Sequence, residues 1–333
     1  MEIKNYLDQK KDFQNNLLAY LDNEDCDVNE IGDLLKYFNV MDINENRDEL
    51  ALLIEIIAQI SYHHHRLPNF FVKLENILTN IKDALVKNFT NNEIYQFFCR
   101  NDRIICFLLK NQVIIPDPLF SNKIIRLTET IKNQQEIEIG ENEQQICQII
   151  RIDSIKEFVC YVTKLNYNLK SGIKPSNFET NLFLIEKEAT LIEYAAFYGS
   201  IQIFNYLRLN GIELKPSIWL YAIHGRNADL IHLLESFEVP PPNDSFIHCF
   251  NESVKCYHNE LSNYFLNNHI NVEINRKFYS NCIKFLNFEF YPEELFKIDA
   301  FYNLCACNLI SFIKIVLNDE RVEINQKMIG IDI

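Results

Sequence analysis

"TLIEYAAFYGSIQIFNYLRLNG", residues 190–211, carries two of the seven glycines of the 333-residue chain, Gly199 and Gly211. Thr190 and Glu193 have the spacing of a capping box, in which a hydroxyl and a carboxylate each satisfy a free backbone N–H, so a helix begins at Leu191. It ends near Tyr198, because Gly199 adopts at little cost the positive φ that closes a helix. A second helix runs from about Ile201, with Phe204 and Leu207 on one face, and stops at Gly211 for the same reason. The stretch reads as two short antiparallel helices.

The pattern recurs. A shift of 27 residues lays "SIWLYAIHGRNADLIHLLESFEV" (217–239) under it, with Ala222 under Ala195, Ile231 under Phe204 and Leu234 under Leu207. A further shift of 31 aligns residues 248–270, with Ser253 at the small position. Residues 301–325 fit more loosely, and 93–113 and 146–166 are weaker copies; in the latter, Ser154 and Glu157 form a second capping-box pattern. The small residue marks where two helices come closest. Helix pairs of roughly 30 residues cannot bury an apolar face alone and must stack into a solenoid.

Upstream, residues 29–38, 47–62 and 68–89 show the three- and four-residue apolar spacing of helices, with Pro68 suited to a first turn. The expected fold is all-α: an N-terminal helical domain over residues 1–90, then repeats over 91–333, clearest at 190–212, 217–239, 248–270 and 301–325.

Residues 190–214 resemble the ankyrin consensus: Thr190, Ala195, Ala196, Gly199, Leu207 and Gly211 fall on its positions, whereas Leu191, Glu193 and Ser200 depart from it. In later copies Arg226 and Tyr257 occupy the turn glycine's place. Together with "SYHHHRLPNFFVKLENIL" (61–78), "IWLYAIHGRNADLIHLLE" (218–235), "IKPSNFETN" (173–181) and "ESVKCYHNELSNYF" (252–265), the chain is similar to a divergent ankyrin-repeat family. That family is a domain of unknown function expanded in trichomonad protists. The resemblance implies an N-terminal helical region followed by divergent ankyrin repeats, and no activity.

A formal net charge of −14 and a pI near 5.1, without a dense Lys/Arg cluster, argue against nucleic-acid binding. There is no apolar signal segment at the start and no run of membrane-spanning length. The ten cysteines are scattered, several inside apolar runs, which suits free thiols in a reducing cytoplasm.

Two clusters invite a metal reading. In "YHHHR", His63 to His65 point about 100° apart on a helix and cannot all face one ion, so they read as the polar end of the 47–62 helix. In "HCFNESVKCYH", Cys249 and Cys256 lie two turns apart, but His248, Cys249, Cys256 and His258 could not close a tetrahedron without breaking the helix over 248–257. Cys305 and Cys307 are too close for a CxxC redox pair. Nucleophile-elbow, phosphate-loop and dinucleotide motifs are missing, so neither catalytic residue nor cofactor is expected.

What remains is a surface. The resemblance implies that a protein partner meets the concave face, which points to Phe197, Tyr198, His224, Gly225, Lys255 and Cys256. Tyr198 is the expected anchor, and Phe197 could equally pack beneath a neighbouring repeat. "VPPPNDS" (239–245) reads as a stiff connector or a recognition loop. The expected function is a non-enzymatic cytoplasmic adaptor. The alternatives are a metal-dependent enzyme built on residues 248–258, or a structural protein that self-associates through a last repeat left uncapped unless 326–333 covers it.

Overall fold

The structure, a computed structural model, describes residues 2–23, 31–67, 69–116, 122–132, 140–270, 276–291 and 298–318. These residues form α-helices, and the one bridge of extended backbone among them is an isolated pair, Gly172 with Thr190. The first helices are α1 (Glu2–Asp22), α2 (Gly32–Val40), α3 (Arg47–His63) and α4 (Phe70–Asn88). Next come α5 (Asn91–Phe98), α6 (Asp102–Lys110), α7 (Asn122–Lys132), α8 (Gln145–Arg151), α9 (Ile155–Lys164) and α10 (Leu182–Glu186). Then follow α11 (Leu191–Phe197), α12 (Ile201–Leu209), α13 (Ile218–Gly225), α14 (Ala228–Ser236), α15 (Ile247–Lys255) and α16 (Asn259–Asn268). The last are α17 (Arg276–Lys284), α18 (Ile298–Ala306) and α19 (Ile310–Leu317). The chain is all-α.

Two compact units result: residues 1–59, 66–90 and 272–333 form the first, and 60–65 and 91–271 the second. This differs from the expected division, which ended the first domain at residue 90 and gave 301–325 to the repeats. The cause lies in α1. Ile3, Leu7, Phe13, Leu17, Leu18 and Leu21 are all buried along it, more apolar surface than one flank can cover. α1 packs on α2 and α4, and also on α19 and a 3₁₀ turn at Phe288–Phe290. Gln14 fixes that contact: its Nε2 donates to the Leu286 carbonyl at 2.7 Å and its Oε1 accepts from the Phe288 N–H at 3.0 Å. Tyr6 meets Phe312 edge-on at 5.0 Å, and the buried Lys10 pairs with Glu49 at 2.5 Å. Pro68 and residues 319–333, including the expected cap at 326–333, lie outside the described residues.

In the second unit α8, α11, α13 and α15 pack each on the next, while α9, α12, α14 and α16 pair with them. The helix pairs expected within 190–212, 217–239 and 248–270 are present. Ala195, Ala222 and Ser253 are fully buried. The turn inside each pair has one left-handed residue: Gly199 at φ +66°, and at the same place Asp153 at +50°, Arg226 at +49° and Tyr257 at +61°. Three of these bear side chains, so register and packing hold the turn where glycine does not.

The capping box at Thr190 is complete, both bonds being present. At Ser154 it does not form. Ser154 has ψ 86°, against 167° at Thr190, and its short hydroxyl is not swung over the first turn. Asn101 and Asn227, with ψ 97° and 107°, do cap α6 and α14, through a longer amide.

Candidate functional site

Two places in the second unit hold the residues of interest. One is the interior junction of α11, α13 and α15; the other is a groove at the connections between helix pairs.

The interior junction gathers the six residues expected on a partner-facing surface, and burial corrects that expectation for most of them. Phe197, His224 and Cys256 are 5%, 1% and 0% exposed, and Gly225 is buried. Tyr198 and Lys255 are half-buried. The inner helices stack closely, so the end of α11 is roofed by α13 and the end of α13 by α15. Phe197 stacks on the His224 ring at 4.7 Å, and Phe183 leans on it at 4.5 Å. Phe197 thus packs beneath a neighbouring pair. The Tyr198 ring lies 4.9 Å from that of Tyr194 and faces the Arg151 guanidinium at 5.8 Å, and its hydroxyl is buried.

The junction is also polar. The His224 Nε2 meets Glu252 Oε1 at 2.9 Å, and Lys255 Nζ donates to the same oxygen at 3.1 Å. The Cys256 Sγ stands 3.4 and 3.5 Å from the two His224 nitrogens, so it lies against the ring. Burial pushes the Glu252 carboxyl up, but the bond and charge of His224, with Lys255, outweigh it and hold the pKa at about 2. Burial, then the Glu252 charge, pushes the Cys256 thiol well up.

The three consecutive histidines end here too. They are not a solvated helix end: His63 and His64 are buried and His65 half-buried. His64 Nδ1 lies 2.8 Å from the Cys256 carbonyl and His65 Nδ1 3.0 Å from the His224 carbonyl, so each ring hooks onto the backbone of a junction residue. Beside them His258 is 3% exposed, its ring 5.4 Å from His64, and neither of its nitrogens has a hydrogen-bond partner. Burial, then the neighbouring His64 and His65, drives its pKa well below the usual value. Of the "HCFNESVKCYH" residues, Cys249 is buried and His248 exposed; neither joins Cys256 in the junction cluster, which contains His224 and Glu252.

Compared with protein-family models, with curated proteins and with solved structures, the chain matches none.

The groove, about 250 Å³, lies where two successive connections meet. Leu169 and Lys170 come from the segment after α9, and Gly211, Ile212, Glu213 and Lys215 from the segment after α12. Thr190, Ile192, Glu193 and Ile218, at the starts of α11 and α13, form its floor. Glu193 ties that floor together, accepting from Thr190 and, at 2.8 Å, from the Ser217 hydroxyl. Sequence reasoning placed the surface at the ends of the inner helices and missed this groove. The available signal was the turn-forming Asn210-Gly211 and Lys215-Pro216 between two apolar helices. Among the described residues, no helix is long and apolar enough to cross a membrane.

Proposed function

We propose that the second unit is a divergent ankyrin-type solenoid and that the chain is a non-enzymatic protein-binding adaptor. The observation that carries this reading is the groove. Its floor, where Ile192 and Ile218 lie beside Thr190 and Glu193, is rimmed by the Leu169–Lys170 and Ile212–Lys215 connections. An apolar centre with a charged rim is the anatomy of a surface that takes a protein side chain. The successive packing of α8, α11, α13 and α15 supports a stacked array. The partner-facing residues in this reading are Leu169, Lys170, Ile212 and Lys215, in place of the buried Phe197, His224, Gly225 and Cys256.

The test is photo-crosslinking in native extract with a photoreactive residue at position 212, read by mass spectrometry, alongside a probe at exposed Lys164. A protein crosslinked from 212, not from 164, and lost on Lys170→Glu with Lys215→Glu supports the reading. Equal yields from both positions, or a yield unchanged by the charge reversal, overturn it.

A further inference from the structure

The polar junction holds a donor set that a partner-binding role does not use. We propose that His224, Glu252 and Cys256 form a buried site for one divalent transition-metal ion of zinc's class.

The argument begins with spacing. Glu252 and Cys256 are four residues apart at the end of α15, so both project from one helical face, as paired ligands on a helix must. His224 enters from the end of α13, and one ligand atom from each of the three lies within 4.8 Å of the other two. Ligands at about 2.0–2.3 Å from a tetrahedral ion stand roughly 3.2–3.7 Å apart. The Sγ to Nε2 distance of 3.5 Å is already of that size, and the Nε2 to Oε1 edge of 2.9 Å has only to open slightly. Sγ now rests against the imidazole ring, so binding requires it to move to the edge where Nε2 and Oε1 meet.

Chemistry narrows the occupant. A thiolate, an imidazole and a carboxylate suit zinc and its neighbours, whereas magnesium and calcium require oxygen ligands. The charges balance: on entry the ion displaces two protons to solvent, one from the thiol and one from the His224 imidazolium paired with Glu252, and thiolate and carboxylate together neutralise a dication. Lys255 leaves Oε1 and keeps the Phe183 face, where its Nζ already lies at 5.7 Å.

Two further observations bear on the same ion. His258, two residues beyond Cys256, carries two buried ring nitrogens with no hydrogen-bond partner; it stands outside the three-residue cluster and would have to move to supply a fourth ligand. His64 and His65 grip the backbone carbonyls of Cys256 and His224, the kind of support that orients ligands. A site so enclosed stabilises rather than catalyses. It would fasten α13 to α15.

The test uses the full chain, purified with a chelator and titrated with Co²⁺ and Zn²⁺. We expect one ion per chain, a tetrahedral Co²⁺ spectrum with a thiolate charge-transfer band, and a rise in Tm on adding Zn²⁺. Cys256→Ser should abolish the band; Glu252→Gln should weaken Zn²⁺ binding by at least the about 10–100-fold that loss of a supporting residue costs. Cys160→Ser, at an exposed thiol, should change neither. If Cys256→Ser does not fold, the wild-type spectrum and Glu252→Gln decide. An octahedral spectrum without the band, or a Zn²⁺ affinity indifferent to Cys256 and Glu252, overturns the proposal.

Discussion

The backbone of Gly225 lies against the carbonyl of Ala196: a Cβ built on Gly225 would stand 2.4 Å from that oxygen. Helices α11 and α13 meet here without room for a methyl group. The opposing atom is backbone, so it cannot rotate away.

Gly225→Ala is therefore expected to destabilise the second unit by about 1–3 kcal/mol, the cost of overpacking, despite alanine's better helix propensity. Urea denaturation checks it. An unchanged midpoint would mean that α11 and α13 are not this close.

Thr190→Ala removes a complete capping box at the start of α11. The expected loss is about 1 kcal/mol, and Thr190→Ser should recover most of it. Ser154→Ala, at a position where the box does not form, should be close to neutral in the same assay.

Gln14→Leu leaves the Leu286 carbonyl and the Phe288 N–H without their side-chain partner. Each such loss costs about 1–3 kcal/mol when buried. The substitution should lower the urea midpoint and open residues 276–291 to hydrogen exchange while 191–268 stay protected.

Glu55, on α3, has its pKa raised above its ordinary value of 4.5 by burial. Its charged form therefore costs stability above the folded-state pKa, and the cost disappears as pH falls to about 4.5, where the unfolded chain also takes up the proton. Glu55→Gln should melt above wild type at neutral pH, with the difference closing towards pH 4.5. A constant difference across that range would assign the effect to packing.

The helix pairs were legible because their signals are local. Thr190, Glu193 and Gly199 act within one turn of chain, and Ala195, Ala222 and Ser253 repeat at a spacing the eye can follow. What stayed hidden depends on partners distant in sequence. Nothing near Gln14 says that it bonds Leu286 and Phe288, so the membership of α17–α19 in the first unit could not be foreseen. Likewise "YHHHR" looks like a polar helix end until His64 and His65 are seen on the carbonyls of Cys256 and His224. The burial of Phe197, His224, Gly225 and Cys256, expected at a surface, stayed hidden for a related reason: the depth to which α13 and α15 cover them is a property of the stack.

The first unit is assembled from both ends of the chain, and this orders events during synthesis. When residue 90 leaves the ribosome, α1 has its contacts with α2 and α4 but lacks the 3₁₀ turn and α19. At typical translation speeds, roughly 10–40 s pass before residue 291 appears. Residues 91–271 can finish folding in that interval, while Tyr6 and Gln14 wait for Phe312, Leu286 and Phe288. A nascent chain halted near residue 271 should thus carry a folded second unit and an incomplete first one, a form that chaperones would hold.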